Sequence, residues 1–311
     1  MSQARCTVLT GIAVTLCFLS FSALAETYGN AASIFDLGMG ARPFSMGSAF
    51  VGLADDGNAI LYNQAGLAWE TGLSFLSSYE ARPDTASYAT LAASFPRIGF
   101  SIHYFDFGVV SETDEFGNIV GTFSYSNVGL VAASAVKASD LPFLSQAPLA
   151  ENFGFGLGVR LLKVNTLNPG SGTGLGLDFS VLFRSESPSP RVPIVTGYGL
   201  GAVIENVTGG PVKYESGHQE DWPLKMVLGT SLEFLDQIIL AVDFTSEKSF
   251  RLGVEWTPIP AISFRSGIKN EGVWMWSFGG GLAFRNFVLD FSIVPHPYLN
   301  SQLRGTIEMH W

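Results

Sequence analysis

Four histidines, His103, His218, His296 and His310, are the side chains best suited to acid–base or metal chemistry in this 311-residue chain, and they lie far apart in it. No G-x-S-x-G elbow accompanies them. The run His218-Gln219-Glu220-Asp221 has no metal-ligand spacing and reads as a polar loop. Gly154, Gly156 and Gly158, and again Gly279-Gly280-Gly281, superficially look like phosphate loops. No G-K-[ST] follows either set, and both fall within an alternating strand pattern, so they read as small inward positions that leave room for something else. Asp55-Asp56-Gly57-Asn58 lacks the spacing of a calcium loop and reads as a turn or helix cap. The expectation is a protein with no catalytic residues, no cofactor and no metal.

The elements around these residues explain why chemistry is sparse. Residues 301 to 311 alternate strictly, with Leu303, Gly305, Ile307, Met309 and Trp311 on one face and Arg304, Thr306, Glu308 and His310 on the other. Such a strand suits a membrane barrel, where lipid wets one side and a polar lumen the other. At the other end, Arg5 is followed by an apolar run from Thr7 to Leu24 that ends in Ala23-Leu24-Ala25 before Glu26. Residues 1–25 therefore read as a cleavable signal for export. Both cysteines, Cys6 and Cys17, fall inside it, so the exported chain is expected to carry no thiol.

The chain holds 35 Gly and 25 Phe but only 17 Lys plus Arg against 27 Asp plus Glu. An acidic, charge-poor chain is a poor match for nucleic acid, whose phosphates call for a basic face. No run after residue 25 reaches the ~18–20 apolar residues of a membrane helix. High hydropathy without such helices leaves a transmembrane barrel or a large secreted sandwich.

Period-two segments then decide for strands. Phe153, Phe155, Leu157, Val159 and Leu161 alternate with Gly154, Gly156, Gly158 and Arg160; Leu175, Leu177, Phe179, Val181 and Phe183 alternate with Gly176, Asp178 and Ser180. About fourteen such segments follow residue 70, near 71–79, 85–95, 98–107, 121–137, 153–164, 172–185, 193–205, 223–234, 237–245, 248–257, 260–268, 273–285, 286–295 and 301–311. An even count keeps both chain termini on the periplasmic side. Tight turns are expected at Pro96-Arg97, 186–192, Asp236-Gln237, Pro258-Ile259-Pro260 and Arg285-Asn286, and external polar loops at 108–120 and 206–222. Residues 138–152 are long for the short-turn side. Trp69, Trp256, Trp274, Trp276 and Trp311 read as an interfacial girdle.

Glu233, Asp243, Arg251, Glu255, Arg265, Asp290, Arg304 and Glu308 occupy the small-residue face with their signs interleaved. They read as a lumenal ladder of ion pairs, the alternative being solvated strand charges with no shared role. Residues 26–70 break the strand pattern, with helical stretches expected at 45–53 and 57–61. A barrel of this size needs something in its lumen, and this small-residue segment is the expected plug, ahead of a barrel formed by 71–311.

The stretches Gly40-Ala41-Arg42, Met46-Gly47-Ser48-Ala49-Phe50, Ala54-Asp55-Asp56 and Tyr62-Asn63-Gln64-Ala65-Gly66-Leu67 resemble the N-terminal signature of the PorV/PorQ family, itself similar to FadL-type fourteen-stranded transporters. Further matches are Glu205 to Lys213, Ser246 to Glu255 and Phe284 to Asp290. One departure is Gln64, where those families carry proline in Asn-Pro-Ala-Gly. The resemblance implies an all-β, plugged transmembrane antiparallel barrel in the bacterial outer membrane. For function it implies either passage of hydrophobic small molecules or, as a surface scaffold, cargo binding in a type IX-like protein secretion system. The expected partners are accordingly outer-membrane lipid, an apolar small molecule or secretion-system proteins. For the first function, plug residues Phe44, Met46, Phe50, Leu53, Leu61 and Asn63 are the candidate ligand contacts; ordinary plug packing is the alternative.

Overall fold

The computed structural model describes residues 31–82, 86–166, 170–185, 194–296 and 300–311. The expected signal segment with Cys6 and Cys17, residues 26–30 and the whole 186–192 turn lie outside the described residues.

Among the described residues, sixteen strands follow a plug-like segment. They are β1 Ser74–Ala81, β2 Ser87–Phe95, β3 Ile98–Thr113, β4 Ile119–Lys137, β5 Phe153–Asn165, β6 Gly172–Ser185, β7 Val195–Glu205, β8 Val212–Tyr214, β9 Gln219–Glu220, β10 Lys225–Phe234, β11 Ile238–Thr245, β12 Phe250–Ile259, β13 Ile262–Asn270, β14 Trp274–Phe284, β15 Phe287–Val294 and β16 Gln302–His310. β8 and β9 form a side ribbon; the other fourteen pair antiparallel with their neighbours and close into one barrel, β1 against β16 and β7 against β10. The long connection at 138–152 contains only two single turns of 3₁₀ helix, so it adds no strand to the wall.

The wall is inside out relative to a soluble sheet. Along β16, Leu303, Gly305 and Ile307 are exposed while Arg304, Thr306 and Glu308 are buried. Phe100, Leu157, Leu200, Phe264 and Trp276 likewise face outward, and Ser101, Arg160, Arg265 and Ser277 inward. Apolar side chains placed outside and polar ones inside are what a lipid solvent demands.

Turn chemistry sets one end of the barrel. Arg285-Asn286 closes β14 and β15 in two residues with Arg285 at φ 53, and Pro96-Arg97 does the same for β2 and β3 with Arg97 at φ 71. Leu235 and Asp236 are both at φ 55, matching the twist of a tight hairpin. Pro258 lies inside β12, at a register shift between Trp256 and Ile259, so this turn falls at Pro260-Ala261. A proline fits there because a bulge leaves its missing N–H unneeded.

At the opposite end two connections differ from the expected polar loops. β3 and β4 run 16 and 19 residues, against the ~9–11 that cross a membrane, so most of 108–120 is a projecting hairpin and only 114–118 is loop. Asp114 fastens its tip by accepting from the Phe116 and Asn118 N–H groups at 2.9 and 2.8 Å. Residues 206–222 build the β8–β9 ribbon and turn inward, burying Val212 and Trp222.

Residues 31–73 fill the barrel. Ala31–Leu37 is a 3₁₀ helix, Ala41–Ser45 and Ala59–Tyr62 are single α turns, and Gln64–Trp69 is a second 3₁₀ helix. The expected helix at 45–53 is absent. Gly47 and Ser48 take φ of 63 and 62, in the left-handed region, so the backbone turns twice where a helix would continue.

Candidate functional site

The lower plug rests on a row of small residues running across six strands of the inner wall. Cross-strand partners Gly199, Ser231, Ala241, Gly253, Gly267 and Ser277 stand side by side on β7, β10, β11, β12, β13 and β14. With no side chains in the way, plug backbone lies directly on wall backbone. A Cβ on Gly267 would stand 2.2 Å from the Gly47 nitrogen, and one on Gly199 2.0 Å from the Gly52 carbonyl oxygen. Ser277 Oγ accepts from the Gly47 N–H at 2.9 Å and donates to the Ser45 carbonyl at 2.8 Å. Ser231 Oγ donates to the Gly52 carbonyl at 2.9 Å. Between them the buried Asp243 carboxylate accepts from the N–H groups of Phe50 and Val51 at 2.8 and 3.0 Å.

The charged residues form a network that ties wall to plug. Arg42 spans Glu255 at 2.9 Å and the plug carboxylates Asp55 and Asp56, each at 2.7 Å. Arg265 joins Glu255 to Asp290. Arg304 donates to Glu80 and to the Leu37 carbonyl at 2.7 Å, with its guanidinium 4.0 Å from the Phe44 ring centroid. Arg251 meets Glu271 at 3.1 Å, and Glu308 accepts from Ser74 Oγ at 2.8 Å. Glu233 is half-buried beside Gly197. Arg160 pairs separately with Asp178 and Glu205, and Lys225 with Asp36 and Glu247; these residues, and Arg42, Asp55, Asp56, Glu80 and Glu271, are missing from the eight-residue ladder read in sequence. Arg160 and Asp178 were visible in their strands as charges on the small-residue face. The plug partners carried no such signal.

All six candidate ligand contacts are buried. Phe50 packs edge-on to Tyr62 with ring centroids 5.5 Å apart, and the Arg42 guanidinium lies 5.4 Å from its centroid. Met46 sits against Gly253. Asn63 Nδ2 donates to the Val51 carbonyl at 2.8 Å, while its Oδ1 accepts from the Ala65 N–H at 3.2 Å and so caps the second 3₁₀ helix. Leu53 and Leu61 join the same apolar cluster. Gln64 reaches the Ile60 carbonyl at 3.3 Å and Asp178 at 3.4 Å.

The upper lumen is built differently. Phe35 stacks on Trp222 at 5.8 Å and meets His103 edge-on at 5.7 Å. The Trp222 ring lies over Gly174 and Gly176 of β6. Asp36 pairs with Lys225 at 2.5 Å, yet its side chain is 46% exposed. Phe105, Tyr125 and Tyr214 are partly buried against this cluster. Tyr214 donates to Glu220 at 2.6 Å, and burial, then the Glu220 carboxylate, push its phenol above the ordinary value. Ring faces and edges of this kind can hold flat apolar molecules.

His103 is fully buried. Tyr88 Oη donates to the Gly38 carbonyl at 2.8 Å, so it receives its other hydrogen bond from His103 Nδ1 at 2.7 Å, which leaves Nε2 to accept from Ser101 at 2.8 Å. This serine–histidine pair is oriented by a phenol and lies covered by Phe35. With no carboxylate behind the histidine, the arrangement works as a polar clasp on the plug backbone. Among the described residues no cluster of three or more His, Cys, Asp or Glu is arranged to hold a metal ion.

No family model and no curated protein matches the chain. Solved structures are similar to it in fold. The toluene transporter TbuX of Ralstonia pickettii aligns with a TM-score of 0.56 at 13% identity, covering 88% of this chain and 98% of that one. The CymD monoaromatic hydrocarbon channel gives 0.56 at 13%, covering 88% and 97%. The P. putida toluene transporter TodX gives 0.56 at 12%, over the same shares. The chain thus shares the closed fourteen-strand barrel fold of these proteins.

Proposed function

We propose that this protein is a plugged channel of the bacterial outer membrane that admits hydrophobic small molecules. The carrying observation is the closed fourteen-strand barrel, a fold that it shares with monoaromatic hydrocarbon channels. An apolar ligand first meets Phe105, Tyr125, Tyr214 and Trp222 at the mouth. It moves inward when Phe35 and the 31–38 segment give way. The contacts of Phe44, Met46, Phe50, Leu53, Leu61 and Asn63 are then the closed surfaces that it has to part. Export by a signal at 1–25, a plug at 26–70 and a barrel at 71–311 belong to this reading. So does kinship with the PorV/PorQ family, which rests on the motifs between Gly40 and Leu67.

A second reading, a closed surface scaffold or cargo-binding component of a type IX-like secretion system, has one observation in its favour. The plug backbone is hydrogen-bonded to the wall through Ser231, Asp243 and Ser277. Uptake of tritiated toluene and palmitate into proteoliposomes separates the two. The channel predicts uptake above protein-free liposomes, altered severalfold by Trp222→Ala. No uptake of either compound, together with a stoichiometric protein companion in native mass spectra of protein from its own membrane, would replace the channel with the scaffold.

A further inference from the structure

The plug fills the space before wall glycines such as Gly199, Gly253 and Gly267, but Gly305 faces the other way, and no described residue lies within 4 Å of where its Cβ would stand. It sits between two aromatics, paired to Tyr79 on β1 and to Phe291 on β15. The Phe291 ring leans the other way, 3.2 Å from a Cβ placed on Gly280, and leaves the space over Gly305 open. The next rung toward the long connections is Ala81, Leu303 and Ile293. Together these rungs form a groove of about 550 Å³ on the outer face, within the ~300–1,000 Å³ of ligand pockets.

A glycine inside a strand weakens it and often marks the close approach of another molecule. At Gly305 no atom of the described residues makes that approach. The groove does not lead through the wall, because the Arg304 side chain between its rungs turns inward onto Glu80. Its outward side chains are apolar apart from the Tyr79 hydroxyl, and the strand backbone is committed to the sheet. Only dispersion and apolar burial are on offer, which suits an alkyl chain. The exposed walls, Tyr79 at 58% and Phe291 at 61%, stand where the lipid solvent is.

We propose that this groove seats one acyl chain of a membrane lipid from the leaflet bordering the long connections, and that Gly305 is the residue that makes room for it. The proposal needs the protein to be a membrane barrel but not a channel.

The test uses the full-length mature protein in nanodiscs made with a phospholipid that carries a mid-chain diazirine, photolysed and mapped by mass spectrometry. Adducts on Tyr79 and Leu303 should exceed those on the equally exposed Leu200 and Leu175 severalfold. Gly305→Leu should bring them down to that level while the heat-dependent gel shift of the folded barrel is kept. If Gly305→Leu fails to fold, Gly305→Ala should still lower the enrichment. Uniform labelling around the barrel, or enrichment that survives Gly305→Leu, would mean ordinary annular lipid and overturn the proposal. Enrichment seen only with free diazirine palmitate, or a dimer mass lost in Gly305→Leu, would overturn it in favour of a free fatty acid or a second copy.

Discussion

The two halves of the plug are held by different physics. Residues 45–52 lie backbone to backbone on the wall, within a clearance that admits no Cβ, and their N–H and C=O groups are bonded to Ser277, Asp243 and Ser231. Residues 31–38 are held by side chains: the Phe35–Trp222 stack, the Asp36–Lys225 pair and the reach of Arg304 to the Leu37 carbonyl. Close backbone packing has one arrangement, because moving it a little loses every contact at once. Long side chains can turn to new partners. The difference makes the lower plug a fixed floor and, in the proposed channel, the upper segment the part that yields to a ligand.

The sharpest way to break this contrast is to fill the floor. Gly267→Val places methyl groups where the Gly47 nitrogen lies 2.2 Å from a Cβ. The expected outcome is a displaced 45–52 segment, seen as faster proteolysis within the plug and a new ion conductance in planar bilayers, with the barrel still resistant to SDS before boiling. Unchanged proteolysis would mean that the floor is not rigid. Arg265→Met should come next, because it strips Glu255 and Asp290 of a shared buried partner. A loss of about 3–5 kcal/mol is expected, read as a lower temperature for the SDS gel shift.

Asp243→Ala acts on the floor alone. It removes the charged acceptor of two buried N–H groups, worth about 2–4 kcal/mol in all. Amide exchange at Phe50 and Val51 should quicken by at least tenfold while exchange in the barrel strands stays put. The smallest effect belongs to the upper segment. In Asp36→Asn, Lys225 keeps Glu247 at 3.5 Å and a half-exposed partner is lost, so stability should change by less than about 1 kcal/mol. A loss as large as that of Asp243→Ala would erase the distinction between the two halves.

The same contrast separates what could be read in advance from what could not. Strand positions, outward faces and the two-residue turn at Arg285-Asn286 follow from period-two alternation and turn chemistry, which are local. Gly253 and Gly267 could be recognised as inward and small, yet what fills the space before them could not. Trp222 illustrates the limit: within 206–222 it looks like part of an external loop, and only the glycines at 174 and 176, far away in sequence, give it a place inside. The missing helix at 45–53 has the same origin. Its apolar residues permit a helix, but the wall row demands a flat backbone, and left-handed turns at Gly47 and Ser48 supply it.

By itself the sequence determined an outward-apolar barrel wall, because lipid on one side and polar groups on the other impose a repeat of two that each strand carries alone. Tertiary structure decided the closure of β1 on β16, the floor made by six small residues from six strands, and the pairing of Arg42 with Glu255. Those depend on which positions come to face each other across the lumen, and no short stretch of chain contains that distance.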